Sequence, residues 1–456
     1  MNNNKTVAAI ATPNSSGGVG IVRISGDNAI EIADKVFRAL NHKSLKDSKG
    51  YTAHYGKIVD GQTEVDEGIA LIFKAPRSYT GEDVVELSCH GGLYITKRTL
   101  RAVLRAGAEP APAGEFTKRA FLNGRIDLAE AESVMALISA QGEQAAAAAY
   151  NTLEGKLSEK ISAAAHELVS VCAYMAAWVD YPYDEIEEIS NERLMATFNN
   201  TKKELNELLQ SFENGRAVTQ GVDAVIVGRP NVGKSTLMNL LSGYERSIVT
   251  DIPGTTRDVI EETVKIGDII LRLADTAGIR STDDRVESIG VSLAHKRLNR
   301  AQLVIAVFDG AQELNDEDKK ILNDCKEKTS VAVINKSDLT QMADIDYIKA
   351  HTKHTVLISA KSGEGFKELE QILSKILGSA DFDPSVAALT TERQRLCCEK
   401  ALSSIEEAID ALNMGVTLDA VNVCVDDAVN SLLELTGEKA GEAVVNEVFA
   451  QFCVGK

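Results

Sequence analysis

The sequence predicts an α/β and α protein in which a doubly wound domain with a parallel sheet is inserted into a helical domain, and an α+β domain precedes both. Residues 1–119 mix strand-like and helical stretches, whereas 120–216 and 381–456 carry Ala, Glu, Leu and Gln at helical spacing. Over 217–380, short β-branched runs alternate with helical stretches, which is typical of βαβ units. The termini of a domain often lie close together, so we favour insertion over the alternative, a separate C-terminal helical domain.

The N-terminal part contains strand-like runs bounded by glycine, proline and asparagine. These runs predict strands at 20–24, 68–73 and 84–88. Helical spacing predicts helices at 28–40 and 93–106. Such a mixture indicates an α+β domain with its own core.

Charge and cysteine content limit the functional classes. The chain of 456 residues has 67 acidic and 49 basic residues, a net charge of −18. Phosphodiester backbones should repel it, so a partner would supply much of the basic surface if RNA is involved. The seven cysteines form no CxxC pair, which indicates neither a zinc site nor a disulfide framework.

The lengths of the apolar stretches bear on the location of the protein, and one proline bears on the helical block. The first apolar run is too short for a secretory signal. The longest later apolar stretch, 171–179, is well below the roughly 20 residues that span a bilayer. We therefore expect a cytoplasmic protein that does not enter a membrane. Pro182 predicts a break in the first helical block.

A phosphate-binding loop follows a short apolar strand in DAVIVGRPNVGKS, 223–235. The backbone N–H groups of such a loop cradle phosphates, and Gly228 and Gly233 permit the close approach. Lys234 would reach the β- and γ-phosphates, and the Ser235 hydroxyl would bind Mg²⁺.

Two segments between this loop and residue 280 match the switch elements of nucleotide hydrolases. Asp275, at the end of a predicted strand in IILRLADTAG, would hold the metal through water, and the Gly278 N–H would sense the γ-phosphate. In DIPGTTRD, Thr256 would complete the Mg²⁺ shell. Their order after the phosphate-binding loop makes coincidence improbable.

The base-reading residues follow two further predicted strands. In SVAVINKSD, Asn335, Lys336 and Asp338 lie at a strand end, and a carboxylate there can accept from guanine N1–H and its 2-amino group. Adenine offers neither donor in that geometry, and leaving a buried carboxylate unpaired costs about 1–3 kcal/mol. In VLISAK, the 359–361 loop would close over the base, so the sequence predicts GTP.

Together these motifs define one predicted GTP site. Its residues are Asn231, Val232, Gly233, Lys234, Ser235, Thr236, Thr250, Asp251, Ile252, Pro253, Gly254, Thr255, Thr256, Asp275, Thr276, Ala277, Gly278, Asn335, Lys336, Asp338, Ser359, Ala360 and Lys361.

The hydrolytic group is not evident from these motifs. Small signalling GTPases carry a water-orienting Gln where this chain has Ile279, so another group must act. The nearby polar segment 280–290 can supply it, although its composition also fits a solvated acidic loop. Lys234 needs help with transition-state charge, and the candidates are Arg257, Arg280, a partner's arginine or a monovalent cation.

Segments outside the nucleotide motifs carry a more specific signal. They are GVGIVRISG (18–26), SYTGEDVVELSCHGG (78–92), GEFTKRAFLNGRIDLAEAE (114–132) and the terminal FCVGK (452–456). With them, the whole chain resembles the MnmE (TrmE) family of tRNA modification GTPases. Ala113 departs from the pattern, because the family usually has proline at that position.

This resemblance implies a homodimer whose N-terminal domain, 1–119, is similar to folate-binding one-carbon enzymes. That domain would hold 5-formyl- or 5,10-methylene-tetrahydrofolate. By motif matching, the folate-binding residues are Arg23, Glu86, Arg125 and Lys456. A carboxylate suits the amino-pyrimidinone edge of the pterin and cations suit the glutamate tail. Without the resemblance, ordinary surface ion pairing would explain the two arginines.

The resemblance also implies potassium in place of an arginine finger, held where two GTPase domains meet. The K⁺ ligands would be Asn231, Thr250, Ile252 and Thr255. Glu287 matches the family's acid that orients the attacking water. It would take the role of the glutamine that is replaced by Ile279 in this chain.

The implied reaction modifies C5 of the wobble uridine, position 34, of certain tRNAs to an aminomethyl or carboxymethylaminomethyl group. The partner would be the FAD-dependent MnmG in a heterotetramer-like complex. Cys453 is a minor candidate nucleophile, since a lone cysteine is more often a small packing residue. Two alternatives stay open, an Era-like ribosome-assembly or RNA-associated GTPase, and a dimerisation switch without one-carbon chemistry.

Overall fold

A computed structural model of the chain describes residues 5–180, 190–244, 261–274 and 301–456. The contacts divide the chain into two compact units. The first unit comprises Met1–Met135, Ser158–Thr197 and Ser403–Lys456. The second comprises Ala136–Leu157 and Phe198–Leu402. The domain limits drawn from the sequence remain proposals.

A seven-stranded sheet organises the N-terminal part. Its strands are β1 Val7–Ile10, β2 Val19–Ser25, β3 Phe37–Ala39, β4 Thr52–Asp60, β5 Thr63–Phe73, β6 Val84–His90 and β7 Glu109–Pro110. They are ordered β3-β4-β5-β6-β2-β1-β7, and only the β1–β7 pair is parallel among these strands. Helices α1 (Ala29–Val36) and α2 (Leu93–Arg105) contribute to the core that includes Val22, Ile24 and Leu87.

The predicted strands at 20–24, 68–73 and 84–88 and the helix at 93–106 are confirmed, but the helix at 28–40 is too long. It ends at Val36, and the chain continues as β3. Phe37 and Ala39 are buried whereas Arg38 is exposed, a period of two that suits pairing with β4. The prediction also missed β1, because its sequence VAAI has two alanines, which strands disfavour.

A buried ion network joins distant segments of the first unit. The Arg119 side chain is only 5% exposed and bridges the carboxylates of Glu82 and Glu115 at 3.0 and 2.9 Å. It also donates to the carbonyl oxygens of Lys5, at 3.0 Å, and Ser25, at 3.4 Å. A guanidinium has five N–H donors, so these four partners nearly exhaust it. The network therefore links the chain start, β2 and the Glu82 loop.

Helices make up most of the chain between the sheet and the second unit's strands. They are α3 Glu115–Leu122, α4 Leu128–Ser139, α5 Glu143–Leu153, α6 Lys156–Asp180 and α7 Asn191–Thr219. They confirm the helical character predicted from 120 onwards. Pro182, the predicted helix break, lies outside the described residues.

The second unit contains a six-stranded sheet. Its elements are β8 Val222–Val227, α8 Lys234–Tyr244, β9 Glu261–Ile266, β10 Ile269–Ala274, β11 Leu303–Asp309, α9 Asp316–Asp324, β12 Ser330–Asn335, α10 Ile345–His351, β13 Thr355–Leu357 and α11 Phe366–Ile376. The order is β13-β12-β11-β8-β10-β9. Every residue of β11 and β12 is buried, as expected for parallel strands covered on both faces.

The sequence analysis predicted a parallel sheet, but the sheet is mixed. Strand β9 pairs antiparallel with β10, while the other pairs are parallel. Only Gly267 and Asp268 separate the two strands, and a two-residue connection makes a hairpin rather than a crossover. An antiparallel edge strand on a parallel sheet is common and leaves the predicted fold class confirmed.

The C-terminal helices are α12 Glu392–Asn413, α13 Leu418–Thr436 and α14 Glu442–Ala450. Helix was predicted up to residue 456, but it ends at Ala450. The last residues extend instead, and Val454 forms an antiparallel bridge with Ala113. Among the residues that the structure describes, no helix is long and apolar enough to cross a membrane.

Candidate functional site

The phosphate-binding loop connects β8 to α8 and depends on two glycines. Gly228 has a φ of +155°, and a Cβ on it would lie 2.4 Å from the Val307 carbonyl oxygen. Gly233 has a φ of +99°, and a Cβ there would lie 2.1 Å from Asn335 Nδ2. Any side chain would therefore displace β11 or the 335–338 segment, which explains the glycine spacing.

Lys234 lies at the first position of α8 and turns back over the loop. Its Nζ donates to the carbonyl oxygens of Gly228 at 2.6 Å and Arg229 at 2.7 Å. Burial lowers the pKa of the Lys234 ammonium. An ammonium group has three donors, so these two bonds leave one for a phosphate oxygen.

The other loop residues divide into packing and exposed positions. Val232 is buried, whereas Asn231, Ser235 and Thr236 are exposed. Asn231 has a φ of +65°, a left-handed conformation that Asn tolerates better than most residues. Its amide and the Ser235 hydroxyl are oxygen donors, the ligand type that K⁺ and Mg²⁺ accept.

Asn335 joins three of the predicted motifs. Its Nδ2 donates to the Val232 carbonyl at 2.8 Å, and its Oδ1 accepts from the Ala360 N–H at 2.9 Å. The structure thus brings the phosphate-binding loop, the 335–338 segment and the 359–361 loop together at the carboxyl ends of β8, β12 and β13. Ligands of open α/β sheets bind at this edge.

The base-reading residues differ in burial. Ser359 and Ala360 are buried, whereas Asp338 and Lys361 are exposed. Lys336 has a φ of +67°, and its Nζ lies 2.6 Å from Asp309 Oδ2. Asp338 can therefore offer its carboxylate to a base while its neighbours are held by protein contacts.

Part of the predicted GTP site, together with the candidate hydrolytic residues Arg280 and Glu287, lies outside the described residues. The residues outside the described ranges are Thr250, Asp251, Ile252, Pro253, Gly254, Thr255, Thr256, Asp275, Thr276, Ala277, Gly278, Arg280 and Glu287. Strand β10 ends at Ala274, so Asp275 directly follows a strand of the described sheet.

A second cluster of predicted residues lies in the N-terminal sheet. Arg23 on β2 and Glu86 on β6 are registered opposite each other, with Arg23 Nε 2.9 Å from Glu86 Oε1. Another Arg23 nitrogen donates to the Gly455 carbonyl oxygen at 3.3 Å. Arg23 Cζ lies 5.5 Å from the ring centroids of both Tyr79 and Phe116. The guanidinium is thus held by a carboxylate, a carbonyl and two rings.

The C-terminal residue completes this cluster. The Lys456 carbonyl oxygen accepts from the Phe116 N–H at 3.2 Å. Burial, followed by the nearby charge of Arg23, lowers the pKa of the Lys456 ammonium, while Glu86 acts in the opposite direction. The charges of Arg23, Glu86 and Lys456 therefore influence one another.

Arg125 occupies a different loop. It is exposed, and its Cγ is 3.4 Å from the position that a Cβ would take on Gly81. The structure thus brings three of the four predicted folate residues together and places Arg125 beside the turn that precedes Glu82.

Comparisons with known proteins cover the whole length of the chain. Residues 6–125 match the family model "GTP-binding protein TrmE N-terminus", and 128–453 match "MnmE helical domain". The tRNA modification GTPase MnmE of Acetivibrio thermocellus is 43% identical over 456 residues, 99% of each chain. The MnmE of Carboxydothermus hydrogenoformans is 41% identical over 458 residues, again 99% of each.

The chain belongs to the MnmE family of tRNA modification GTPases. It is therefore a GTP-binding hydrolase, as the five nucleotide motifs predicted. Among solved structures, the G domain of the T. maritima FeoB iron transporter is 26% identical, covers 35% of this chain and 98% of its own, and has a TM-score of 0.26.

Several residues around the sites of this family member were not singled out from the sequence. Tyr79 and Phe116 contact Arg23 and lie within family segments already quoted, so their proximity to the motifs was an available signal. Arg229 Nε lies 3.1 Å from Oδ2 of Asp318, which is fully buried. Asn315 and Asp318 form a capping box at the start of α9, a pattern that spacing alone can indicate.

Proposed function

We propose that this MnmE-family GTPase is activated by potassium and acts with an FAD-dependent MnmG partner in the cytoplasm. In this proposal, it modifies C5 of the wobble uridine of certain tRNAs with a one-carbon unit from tetrahydrofolate, giving an aminomethyl or carboxymethylaminomethyl group. The observation that carries the proposal is the cluster of Arg23, Glu86 and Lys456 in a chain that also has a complete phosphate-binding loop.

The cation part of the proposal rests on the exposed oxygen donors of the phosphate-binding loop. Ser235 would bind Mg²⁺ with Thr256, and Asn231 would bind K⁺ with Thr250, Ile252 and Thr255. Asn231 is exposed, and its left-handed backbone turns within the loop that surrounds the phosphates. A bound cation there can offset transition-state charge as an arginine finger does, while Glu287 would orient the attacking water.

The first test is GTP hydrolysis in potassium and in sodium buffer at equal ionic strength. We expect potassium to raise turnover by about tenfold or more, because an extra cation stabilises charge that develops in the transition state. Turnover should also rise with protein concentration if two GTPase domains meet.

The control for this test is Asn231→Gly, because glycine keeps the left-handed backbone and removes only the amide. It should abolish the difference between the two salts and leave GTP affinity, measured by titration, nearly unchanged. Equal turnover of the unaltered protein in both salts would contradict the potassium proposal.

The folate part rests on the half-buried ion pair of β2 and β6. The Arg23 and Glu86 side chains are 16% and 20% exposed, so a ligand can reach them although they are largely shielded from bulk water. Glu86 would pair with the pterin edge while Arg23 and Lys456 hold its carboxylate in place, and Arg125, in a different loop, would face the anionic tail. The aromatic rings of Tyr79 and Phe116 would limit the freedom of Arg23.

Glu86→Gln tests this assignment with little change in shape. We expect the affinity for 5-formyl-tetrahydrofolate to fall about tenfold or more, since a hydrogen bond to a charged group contributes about 1.5–3 kcal/mol. Equilibrium titration of the full chain measures it. Glu64→Gln is the matched control, because Glu64 lies on the same sheet but is 57% exposed. Equal affinities of the two variants would remove Glu86 from the site.

The homodimer part rests on the sheet face that carries Arg23 and Glu86. Alternation along the strands puts Val19, Ile69 and Tyr55 on that face, and they are 58%, 44% and 52% exposed. Exposed apolar patches of this kind mark interaction sites, and a two-fold axis would let two copies cover the same patch. A monomeric mass by light scattering at working concentration would contradict this step.

The partner and RNA parts rest on charge. With a net charge of −18, the chain needs a partner with basic surface to hold tRNA. Incubation of the chain with GTP, a folate, the FAD-dependent partner and unmodified tRNA should yield a C5-modified uridine at position 34. Its absence by mass spectrometry, with folate binding and GTP hydrolysis intact, would contradict the assigned reaction.

A further inference from the structure

Asp309 is a buried carboxylate next to the guanine-reading segment. It is the last residue of β11, is 3% exposed, and is registered opposite Asn335 on β12. Its Oδ2 accepts from Lys336 Nζ at 2.6 Å, and its Oδ1 accepts from the Ala311 N–H at 3.0 Å. A buried carboxylate is tolerated only when it is paired and hydrogen-bonded, and both oxygens of Asp309 meet that condition.

The partner of Asp309 has an unusual backbone. Lys336 has a φ of +67°, in the left-handed region that residues other than glycine, asparagine and aspartate rarely adopt. Such a conformation persists where surrounding contacts fix it. The ion pair with Asp309 is one such contact, and the Leu339 N–H, which donates to the Lys336 carbonyl at 3.0 Å, is another.

A side-chain amide holds the same turn from the other end. Gln341 Nε2 donates to the carbonyl oxygens of Lys336 at 3.0 Å and Leu339 at 2.8 Å. The Gly310 N–H donates to the Asn335 carbonyl at 2.8 Å, and the Gly310 carbonyl accepts from the Met342 N–H at 2.8 Å. The segment after β11 and the segment after β12 are thus joined along their length.

These contacts occupy two side chains of the base-reading segment and leave its carboxylate exposed. Asn335 is engaged with Val232 and Ala360, and Lys336 with Asp309, whereas Asp338 is exposed. Lys336 lies two residues before Asp338 in the same turn, so a change in its backbone conformation would move the Asp338 carboxylate. A carboxylate reads two donors of a base only when its orientation is fixed.

We propose that Asp309 is a positioning residue for guanine recognition, which acts through Lys336 to set the orientation of Asp338. The inference rests on the proposed reading of guanine by Asp338. It adds a residue outside the nucleotide motifs to the specificity of the site.

The test compares the affinities for GTP and inosine triphosphate, which lacks the 2-amino group. In the unaltered full-length protein, Asp338 can pair with two donors of guanine but with only one of hypoxanthine. Asp309→Asn keeps the shape and removes the charge that holds Lys336. We expect GTP affinity to fall about tenfold or more and inosine triphosphate affinity to fall much less, so that the ratio of the two decreases.

Lys336→Met provides a second, independent variant, because it keeps the apolar stem and removes the ammonium. It should lower the same ratio, and the double variant should lower it no further than either single change, since both remove one interaction. Asp346→Asn, the same substitution at an exposed position of α10, should leave the ratio unchanged.

Each outcome decides the proposal. Equal losses for both nucleotides, or no loss for either, in Asp309→Asn and Lys336→Met would overturn it, provided that Asp338→Asn changes the ratio. That result would leave the reading of guanine by Asp338 intact. If Asp338→Asn leaves the ratio unchanged, the base is read elsewhere, and both assignments fall. Should Asp309→Asn fail to fold, Lys336→Met alone decides.

Discussion

Lys234→Ala is expected to abolish nucleotide binding and hydrolysis. The alanine removes a charged side chain that contacts the Gly228 and Arg229 carbonyls of the phosphate-binding loop. A hydrogen bond to a charged group contributes about 1.5–3 kcal/mol, and Lys234 would make such a bond through its remaining donor while its charge acts on both the β- and γ-phosphates. A loss of about 3 kcal/mol or more corresponds to a GTP affinity at least about 100-fold weaker. Titration with a fluorescent GTP analogue measures it.

Two controls separate the cation from the shape of the side chain. Lys234→Met restores the stem without the ammonium, so it should bind GTP as poorly as Lys234→Ala. Lys320→Ala removes an exposed lysine on α9 of the same unit and should bind GTP normally. Micromolar affinity retained by both Lys234 variants would overturn the assignment of the phosphate-binding loop.

The parts of the nucleotide site that depend on the conformation of a short backbone segment could be predicted from the sequence. Close approaches to β11 and Asn335 require glycine at positions 228 and 233. The spacing of the two glycines is therefore visible in the sequence. The fully buried strands β11 and β12 are likewise expected, because most of their residues are apolar and parallel strands are covered on both faces. Glycine spacing and runs of apolar residues are properties of the sequence itself, so reasoning from a single chain finds them.

Contacts between distant segments were not predictable in this way. Asp309 and Lys336 are 27 positions apart, and nothing in either segment alone indicates that they pair. The Arg23 guanidinium donates to the carbonyl oxygen of Gly455, which is 432 positions away. Only the resemblance connected the terminal FCVGK segment with β2, because local patterns carry no information about which loops meet.

The errors in secondary structure have a similar origin. Helical periodicity through residue 40 competed with strand pairing, and pairing of Phe37 with Ile58 prevailed. The antiparallel β9 was missed because its hairpin turn is short and its partner lies next to it in sequence, whereas βαβ reasoning expects a crossover helix. In the first case tertiary pairing overrode the local pattern, whereas in the second the pairing is itself local but departs from the βαβ pattern.

Arg119→Met is expected to give the largest loss of stability among single changes in the N-terminal sheet region. Methionine fills the volume but leaves the carboxylates of Glu82 and Glu115, 16% and 20% exposed, without their shared cation. Breaking a buried ion pair by removing one partner costs about 3–5 kcal/mol. Trp178, the single tryptophan of the chain, lies in the same unit and can report its urea-induced unfolding by fluorescence.

Arg105→Met is the matched control, because the same substitution removes one bond to Asp60 from a side chain that is 71% exposed. Exposed pairs contribute about 0–1 kcal/mol, so its unfolding midpoint should hardly move. Arg119→Met combined with Glu82→Gln should be less destabilised than the sum of the single variants, since the second change removes the carboxylate that the first leaves unpaired. Similar midpoints for the Arg119 and Arg105 variants would mean that water reaches the network and replaces the guanidinium. The segments around Lys5, β2 and the Glu82 loop would then be held together by apolar packing rather than by charge.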